Sequence, residues 1–346
     1  MQMHCAQVRE HGDVDHLLLE QVPIEQPATD EVRVRLRASA LNHLDLWVRK
    51  GVPGHRFPLP LIPGCDGAGV VEAVGDGVDE AWIGREVVLI PGVSCGHCTH
   101  CRDGNDMLCP EYGILGETRH GTCAETIVVP ERQLLDRPEG ISWEQAAALP
   151  LSALTAWSML RKARLTTGDT LLVIAAGSGV GTMAIQLGKL LGARIIATGS
   201  SGAKRQLAKD LGASHTIDPA DPNWWKEVKS QSDGEGADVV FENVGQSTFE
   251  GSLRALARGG RLVTCGATSG SQVKVELNRL FFKNQQIIGS TMGRRDDLNR
   301  LLRLQQQGLI EPVIDSTFPL QQIHTAHQRM ESRESCGKIV ITPWKD

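Results

Sequence analysis

The stretch TLLVIAAGSGVGTMAIQLGKLLGA, residues 170–193, constrains this chain more than any other. It reads as an apolar strand, a glycine-rich turn and a helix. Within the helix Val180, Met183, Ala184, Leu187, Leu190 and Leu191 recur at three and four residues and share one face. Four more apolar, β-branched runs follow: ARIIAT (193–198), ADVVFENVG (237–245), GRLVTCG (260–266) and QQIIGST (285–291), most of them separated by helix-like spacers. That alternation predicts an α/β fold, a parallel sheet covered by helices on both faces. A tight turn opening a helix offers free backbone N–H groups and the positive end of the helix dipole to phosphate, so a dinucleotide is the expected ligand. The match to G-x-G-x-x-G is incomplete. Counting back from Gly181, the first two glycines fall on Ala176 and Ser178, with Gly177 and Gly179 beside them.

The second strand of such a unit selects the dinucleotide. An NAD site ends it with Asp or Glu about 20 residues past the glycines, to hold the ribose 2′-hydroxyl. Here the strand runs into ATGSSGAKR, with no carboxylate between Ala197 and Arg205. Ser200, Ser201, Lys204 and Arg205 suit a 2′-phosphate, so the expected cofactor is NADPH. Ligands of these sheets gather at the carboxyl ends of the strands. The expected contacts are therefore Ser178, Gly179 and Val180 in the turn, Asn243, Val244 and Gly245, then Gly266, Ala267 and Ser290, all following strands.

The first ~130 residues have another texture. In VRVRLRAS, Val32, Val34, Leu36 and Ala38 alternate with arginines, the period of a half-buried strand, and glycine-bounded strands follow. The last ~55 residues hold a helix and then strand-like pieces. At 346 residues the length fits two domains. A net charge of −5 gives no electrostatic case for nucleic acid or an anionic membrane. The N-terminus has no basic head followed by an apolar core, and no apolar run approaches the roughly 18 residues of a membrane helix. Nine cysteines, five of them scattered, fit a reducing cytoplasm better than a disulfide framework.

The other four cysteines fall in SCGHCTHCRDGNDMLC. Cys95, Cys98, Cys101 and Cys109 follow C-x2-C-x2-C-x7-C, the spacing of a metal site. An iron–sulfur cluster is a poor match, because the ferredoxin pattern has three residues before its last cysteine, not seven. Four thiolates around zinc close its tetrahedral shell and leave no position for water or substrate.

In the order of these features the chain resembles the medium-chain dehydrogenase/reductase superfamily, the zinc alcohol dehydrogenases and their quinone oxidoreductase relatives. The resemblance is carried by GCDGAGVVEAVG, the four cysteines, LPLSALTAW, GSGVGTMAIQLGKLLGA, GADVVFENVG and GGRLVTCGATSG. It implies a GroES-like, β-rich catalytic domain from residues 1–152 and 291–346 and a Rossmann domain from 153–290. It also implies an active site in the cleft, a structural zinc in the cysteine lobe and a homodimer or homotetramer.

Relatives of this kind that use a catalytic zinc hold it with Cys, His and Cys. The matching positions here are Asn42, Cys65 and Leu151, and Leu44 and Trp47 replace the alcohol proton relay. Leucine cannot bind a metal, and an amide is a poor zinc ligand. A rearranged site would have to draw on Cys65, Asp66 and His43 or Asp45. Asn42, Asp45, Arg49 and Gly51 instead match the N-x-x-D…R-x-G run of the zinc-free quinone oxidoreductases. The resemblance therefore implies an NADPH-dependent reductase that delivers hydride to a quinone or activated alkene, a small molecule that is already electrophilic. Asn42, Asp45 and Thr155 are its candidate catalytic residues, and His55, His120 and Tyr112 the candidates for a proton donor. The alternatives are a zinc alcohol dehydrogenase with a non-standard ligand set and a non-enzymatic NADPH-binding structural protein.

Overall fold

In the computed structural model, which describes residues 1–344, the chain divides into two units. One comprises residues 1–151 and the stretch from Arg294 onward; the other is Ser152–Gly293. The divisions fall at 151/152 and 293/294, where the sequence placed them at 152/153 and 290/291.

The second unit is built on one sheet of six parallel strands. Their order is His215–Ile217, Arg194–Thr198, Thr170–Val173, Ala237–Glu242, Leu256–Thr264 and Gln286–Gly289. The first strand in sequence thus lies at the centre and the order reverses beside it, the doubly wound Rossmann topology. Both faces of the central strands are covered, which is why they read as unbroken apolar runs. Leu171, Leu172, Val173, Val239, Val240 and Phe241 are all fully buried. Helix Gly179–Leu190 packs Met183, Ala184 and Leu187 inward, as its spacing predicts, but Leu190 is 43% exposed at the helix end. Gly188 faces the sheet in its turn, and a Cβ there would come within 2.6 Å of Leu171.

In the first unit, strand Glu31–Ala40 lies at the centre of a seven-stranded sheet, pairing with Asp66–Val74, Thr126–Pro130 and Lys338–Thr342. Val32, Val34, Leu36 and Ala38 are buried, as their alternation with arginine requires. The antiparallel register Val340↔Ala40 and Ile341↔Ser39 sets Lys338 opposite Asn42 when it is continued by two residues. Opposed residues in such a pair share a face. Among the described residues no helix is long and apolar enough to cross a membrane.

Two buried titratable groups in this unit have opposite effects. His327, on helix Ile323–Glu331, is fully buried and neither ring nitrogen has a protein partner. Burial pushes its pKa down to about 3, with the Arg49 and His324 charges adding. Asp45 is buried too, and that burial raises its carboxyl to about 6 against the backbone hydrogen bonds from Asn42 and Gly64. As pH falls below about 6.5 the unfolded chain protonates a histidine that the folded chain keeps neutral, so stability is lost down to pH 3. Asp45 runs the other way. The folded state takes up its proton near pH 6 and the unfolded state only near 4, so stability is gained as pH falls and lost as it rises through 6. The two cancel between pH 4 and 6, and each variant unmasks the other group. His327→Leu is expected to melt lower as pH rises from 4 to 6, and Asp45→Asn to melt lower as pH falls through the same window. Each slope is about 1.4 kcal/mol per pH unit, read by thermal denaturation. Parallel pH curves for both variants and the wild type would contradict this assignment.

Candidate active site

The three positions that carry zinc ligands in the zinc enzymes of the resemblance converge in the first unit. Asn42 precedes helix His43–Lys50, Cys65 precedes strand Asp66–Val74, and Leu151 lies in the first turn of helix Pro150–Lys162. Asn42 Nδ2 is 3.2 Å from Cys65 Sγ. Leu151 and Leu44 pack against the apolar cluster that contains Cys65. The Cys65 thiol is pushed well above its ordinary pKa by burial, with the Asp66 and Asp45 carboxylates adding.

Asp66 is fully buried and accepts three hydrogen bonds. They come from the Leu151 N–H at 2.8 Å, from Asn42 Nδ2 at 2.9 Å and from the Lys338 ammonium at 2.9 Å. Lys338 also donates to Asn42 Oδ1 at 2.5 Å. It is 4% exposed. The Asp45 carboxylate accepts from the backbone N–H of Asn42 at 2.7 Å and of Gly64 at 2.9 Å, tying the start of the helix to the loop before Cys65. His43 is exposed. Among the described residues, the groups of three or more His, Cys, Asp or Glu able to meet on one ion lie in the cysteine lobe, so Cys65 and Asp66 assemble no such set with His43 or Asp45. A catalytic zinc does not fit the residues present.

The candidate proton donors stand apart from one another in bonding. His120 Nδ1 accepts the Ile62 N–H at 3.2 Å, which leaves the ring proton of the neutral form on Nε2. His55 faces Glu117 at 3.6 Å. Burial pushes the Tyr112 hydroxyl pKa up, so it keeps its proton. Thr155 is 5% exposed on helix Pro150–Lys162, in the second unit.

In the lobe, the four cysteine sulfurs lie within 4.8 Å of one another. A tetrahedral zinc with bonds of about 2.3 Å needs sulfurs about 3.8 Å apart. Cys95 to Cys101 is 3.9 Å and Cys98 to Cys101 is 3.5 Å. Backbone N–H groups of Cys98 and Glu111 donate to the sulfurs of Cys95 and Cys109, at 3.3 and 3.4 Å. Such donors stabilise thiolate, and those from His97 and Cys98 bring Cys95 down to about 6. The residues fit a closed zinc site. His97 bonds the Cys95 carbonyl at 3.0 Å and supplies no needed ligand.

The second unit forms the dinucleotide turn from a sequence that only approximates the usual glycines. Ala175 takes a left-handed φ of 56°, and Ser178 caps helix Gly179–Leu190 by accepting the Gly181 N–H at 3.0 Å. A Cβ on Gly181 would lie 2.5 Å from the Ala175 carbonyl oxygen, so the turn closes tightly onto the helix only with glycine there. Gly179 and Val180 begin the helix, where N–H groups have no intrahelical acceptor. Asn243 Nδ2 donates to Ser178 Oγ at 3.1 Å, and its Oδ1 is buried without a protein partner. That buried acceptor beside the free turn fits a bound dinucleotide. Gly245, at φ 91°, approaches the Gly270 carbonyl and Ala267 too closely for a side chain. Gly266 follows strand Leu256–Thr264, and Ser290 pairs with Ser158 at 3.3 Å.

At the second strand Ser200 and Ser201 are exposed, and Ser201 Oγ caps helix Gly202–Leu211 through the Lys204 N–H. The stem of Lys204 covers Gly177, where a Cβ would meet it at 2.8 Å. Arg205 is engaged elsewhere, donating to the Gly199 carbonyl at 2.7 Å and to Asp218 at 2.8 Å. Two participants were not read from the sequence. Asp218 brings a carboxylate to this end of the sheet, already neutralised by Arg205. Glu242, fully buried, accepts from the Val244 and Gly245 N–H groups and from the Thr248 and Ser252 hydroxyls, and so holds the loop from Asn243 to Gly245.

Comparison with known proteins agrees with this architecture. Residues 28–139 match the family described as alcohol dehydrogenase GroES-like domain, and residues 179–307 the family described as zinc-binding dehydrogenase. A zinc-type alcohol dehydrogenase-like protein of Schizosaccharomyces pombe is 32% identical over 90% of each chain. A quinone oxidoreductase of Pseudomonas aeruginosa is 34% identical over 92% of this chain and 93% of its own. A solved structure described as an NAD-dependent alcohol dehydrogenase superposes with a TM-score of 0.94 at 46% identity, covering 98% of this chain and 99% of that one. The chain belongs to the medium-chain dehydrogenase/reductase superfamily and is an oxidoreductase with a GroES-like domain and a Rossmann-type cofactor domain.

Proposed function

We propose that this protein is an NADPH-dependent reductase of quinones or carbonyl-conjugated alkenes, without a catalytic metal and with one structural zinc. The observation that carries the reading is the identity of the residues gathered around Cys65: an amide and a leucine at two of three ligand positions. When bound, the nicotinamide supplies hydride, and an acceptor already poor in electrons needs no Lewis acid to take it. Gly179 and Val180 N–H groups receive the pyrophosphate, and the Asn243 amide oxygen takes a hydroxyl or amide donor of the cofactor. Ser200, Ser201 and Lys204 hold the 2′-phosphate, which meets no unpaired carboxylate there. In the first unit Asn42, with Asp45 holding its backbone N–H, contributes to the substrate environment, and in the second unit Thr155 contributes to that of the nicotinamide. The proton that completes the reduction comes from solvent or a polar side chain, for which His120 Nε2–H is available.

The second reading, a zinc alcohol dehydrogenase using NAD, is favoured by the name of the 46% identical structure. A panel of quinones, enones, acyl thioesters and alcohols with NADPH and NADH, run beside a zinc count, separates the two. The proposed reading expects quinone or enone turnover, a lower KM for NADPH and one zinc per subunit. Alcohol oxidation with NAD and two zincs would establish the alternative.

Two substitutions probe the parts separately. Lys204→Ala is expected to raise the KM for NADPH roughly tenfold, the loss of one charged phosphate contact, and to leave that for NADH within about twofold. Equal effects on both cofactors would remove Lys204 from the 2′-phosphate site. Cys101→Ser is expected to release the zinc and lower the melting temperature by roughly 3 °C, the shift that about 2 kcal/mol produces in a chain of 346 residues. Full zinc content in that variant would contradict the lobe assignment.

We further propose a homodimer or homotetramer in a reducing cytoplasm. The edge strand Gln286–Gly289 and its approach expose Ile287, Phe281 and Phe282, the last by 70%, an apolar edge that a second copy would cover. The nine unbridged cysteines support the compartment. Light scattering that gives a monomer mass would exclude the assembly.

A further inference from the structure

Of the three segments that a catalytic zinc would join, two are bonded by a lysine from a fourth, and the third bonds the same carboxylate. Lys338 opens strand Lys338–Thr342, and the register of that strand against Glu31–Ala40 sets it opposite Asn42. Its ammonium reaches Asn42 Oδ1 at 2.5 Å and Asp66 Oδ2 at 2.9 Å, while the other oxygen of Asp66 accepts the Leu151 N–H at 2.8 Å. An ammonium is a donor with no acceptor, and a carboxylate is an acceptor with no donor. The Asn42 amide between them therefore has one permitted orientation, oxygen toward Lys338 and nitrogen toward Asp66 and Cys65. Lys338 is 4% exposed and Asp66 fully buried, so salt screens this pair little.

We propose that Lys338 is a positioning residue that takes over the cross-linking work of a catalytic metal, fixing the Asn42 amide between the helix start and Asp66. This rests on the metal-free reading of the site. The ammonium brings one of the two charges a zinc ion would bring, and Asp66 balances it. The Asn42 amide is then held by bonds to Lys338 and Asp66 instead of being one ligand of an ion.

The test is a cycle of Lys338→Met, Asp66→Asn and the double variant in the full-length protein. It is measured by melting temperature, by zinc count and by kcat and KM with NADPH and 1,4-naphthoquinone. Lys338→Met leaves a buried carboxylate without its counter-charge and is expected to melt lower and to lose at least roughly tenfold in kcat. The Kd for NADPH, measured by its fluorescence, is expected to stay within about twofold, since the proposed phosphate contacts belong to the second unit. The double variant removes both charges and is expected to regain most of the melting temperature without regaining kcat. Recovery of both would make the pair simple charge compensation and overturn the positioning role. Additive losses of melting temperature across the cycle would overturn the tie itself. A second zinc in the wild type contradicts the metal-free reading and this inference together. If the wild type turns over no acceptor, the proposed reaction fails and the melting cycle still decides whether Lys338 holds Asp66 and Asn42.

Discussion

Asp66 is the group on which the arrangement of the first unit's site depends. A carboxylate removed from water costs several kcal/mol unless its lone pairs are answered. Here they are answered by three donors from three segments, the Leu151 N–H, the Asn42 amide and the Lys338 ammonium. Removing one partner of such a buried pair costs roughly 3–5 kcal/mol, more than most single side chains contribute, so these segments cannot drift independently. Asp45 works in the same place by bonding two backbone N–H groups. The bonds among Asp66, Asn42 and Lys338 then fix where Asn42 and Cys65 sit.

The second unit solves a related problem with backbone. Its turn does without two of the usual glycine positions because Ala175 accepts a left-handed φ and Ser178 supplies the helix cap. Gly181 remains necessary, since a methyl group there would strike the Ala175 carbonyl. Glu242 disciplines the neighbouring loop from inside, and Asn243 links that loop to Ser178. What remains unsatisfied is one buried amide oxygen beside two free N–H groups, the pattern expected of a site shaped around its ligand.

Much of the fold was legible because burial writes itself into local pattern. The five long apolar runs became strands, and the alternation from Val32 to Ala38 held to the residue. The sixth strand, His215–Ile217, was missed: three residues carry no period. The gathering of the four lobe cysteines was legible because they are closely spaced in sequence. Lys338 and Asp66 were not read as a pair, for they lie 272 residues apart. The available signal was a lysine opening the apolar run GKIVI, a position that a central strand leaves to charge only when a partner is waiting. Arg205 likewise looked available for phosphate until Asp218 arrived from the next strand.

The metal-free site requires that no divalent ion lie beside Lys338. Diffraction from crystals grown with excess zinc, recorded on both sides of the zinc absorption edge, answers this directly. The expected anomalous map has one peak per subunit, centred among Cys95, Cys98, Cys101 and Cys109. A second peak within bonding distance of Cys65 or Asp66, with the Lys338 ammonium displaced, would contradict it.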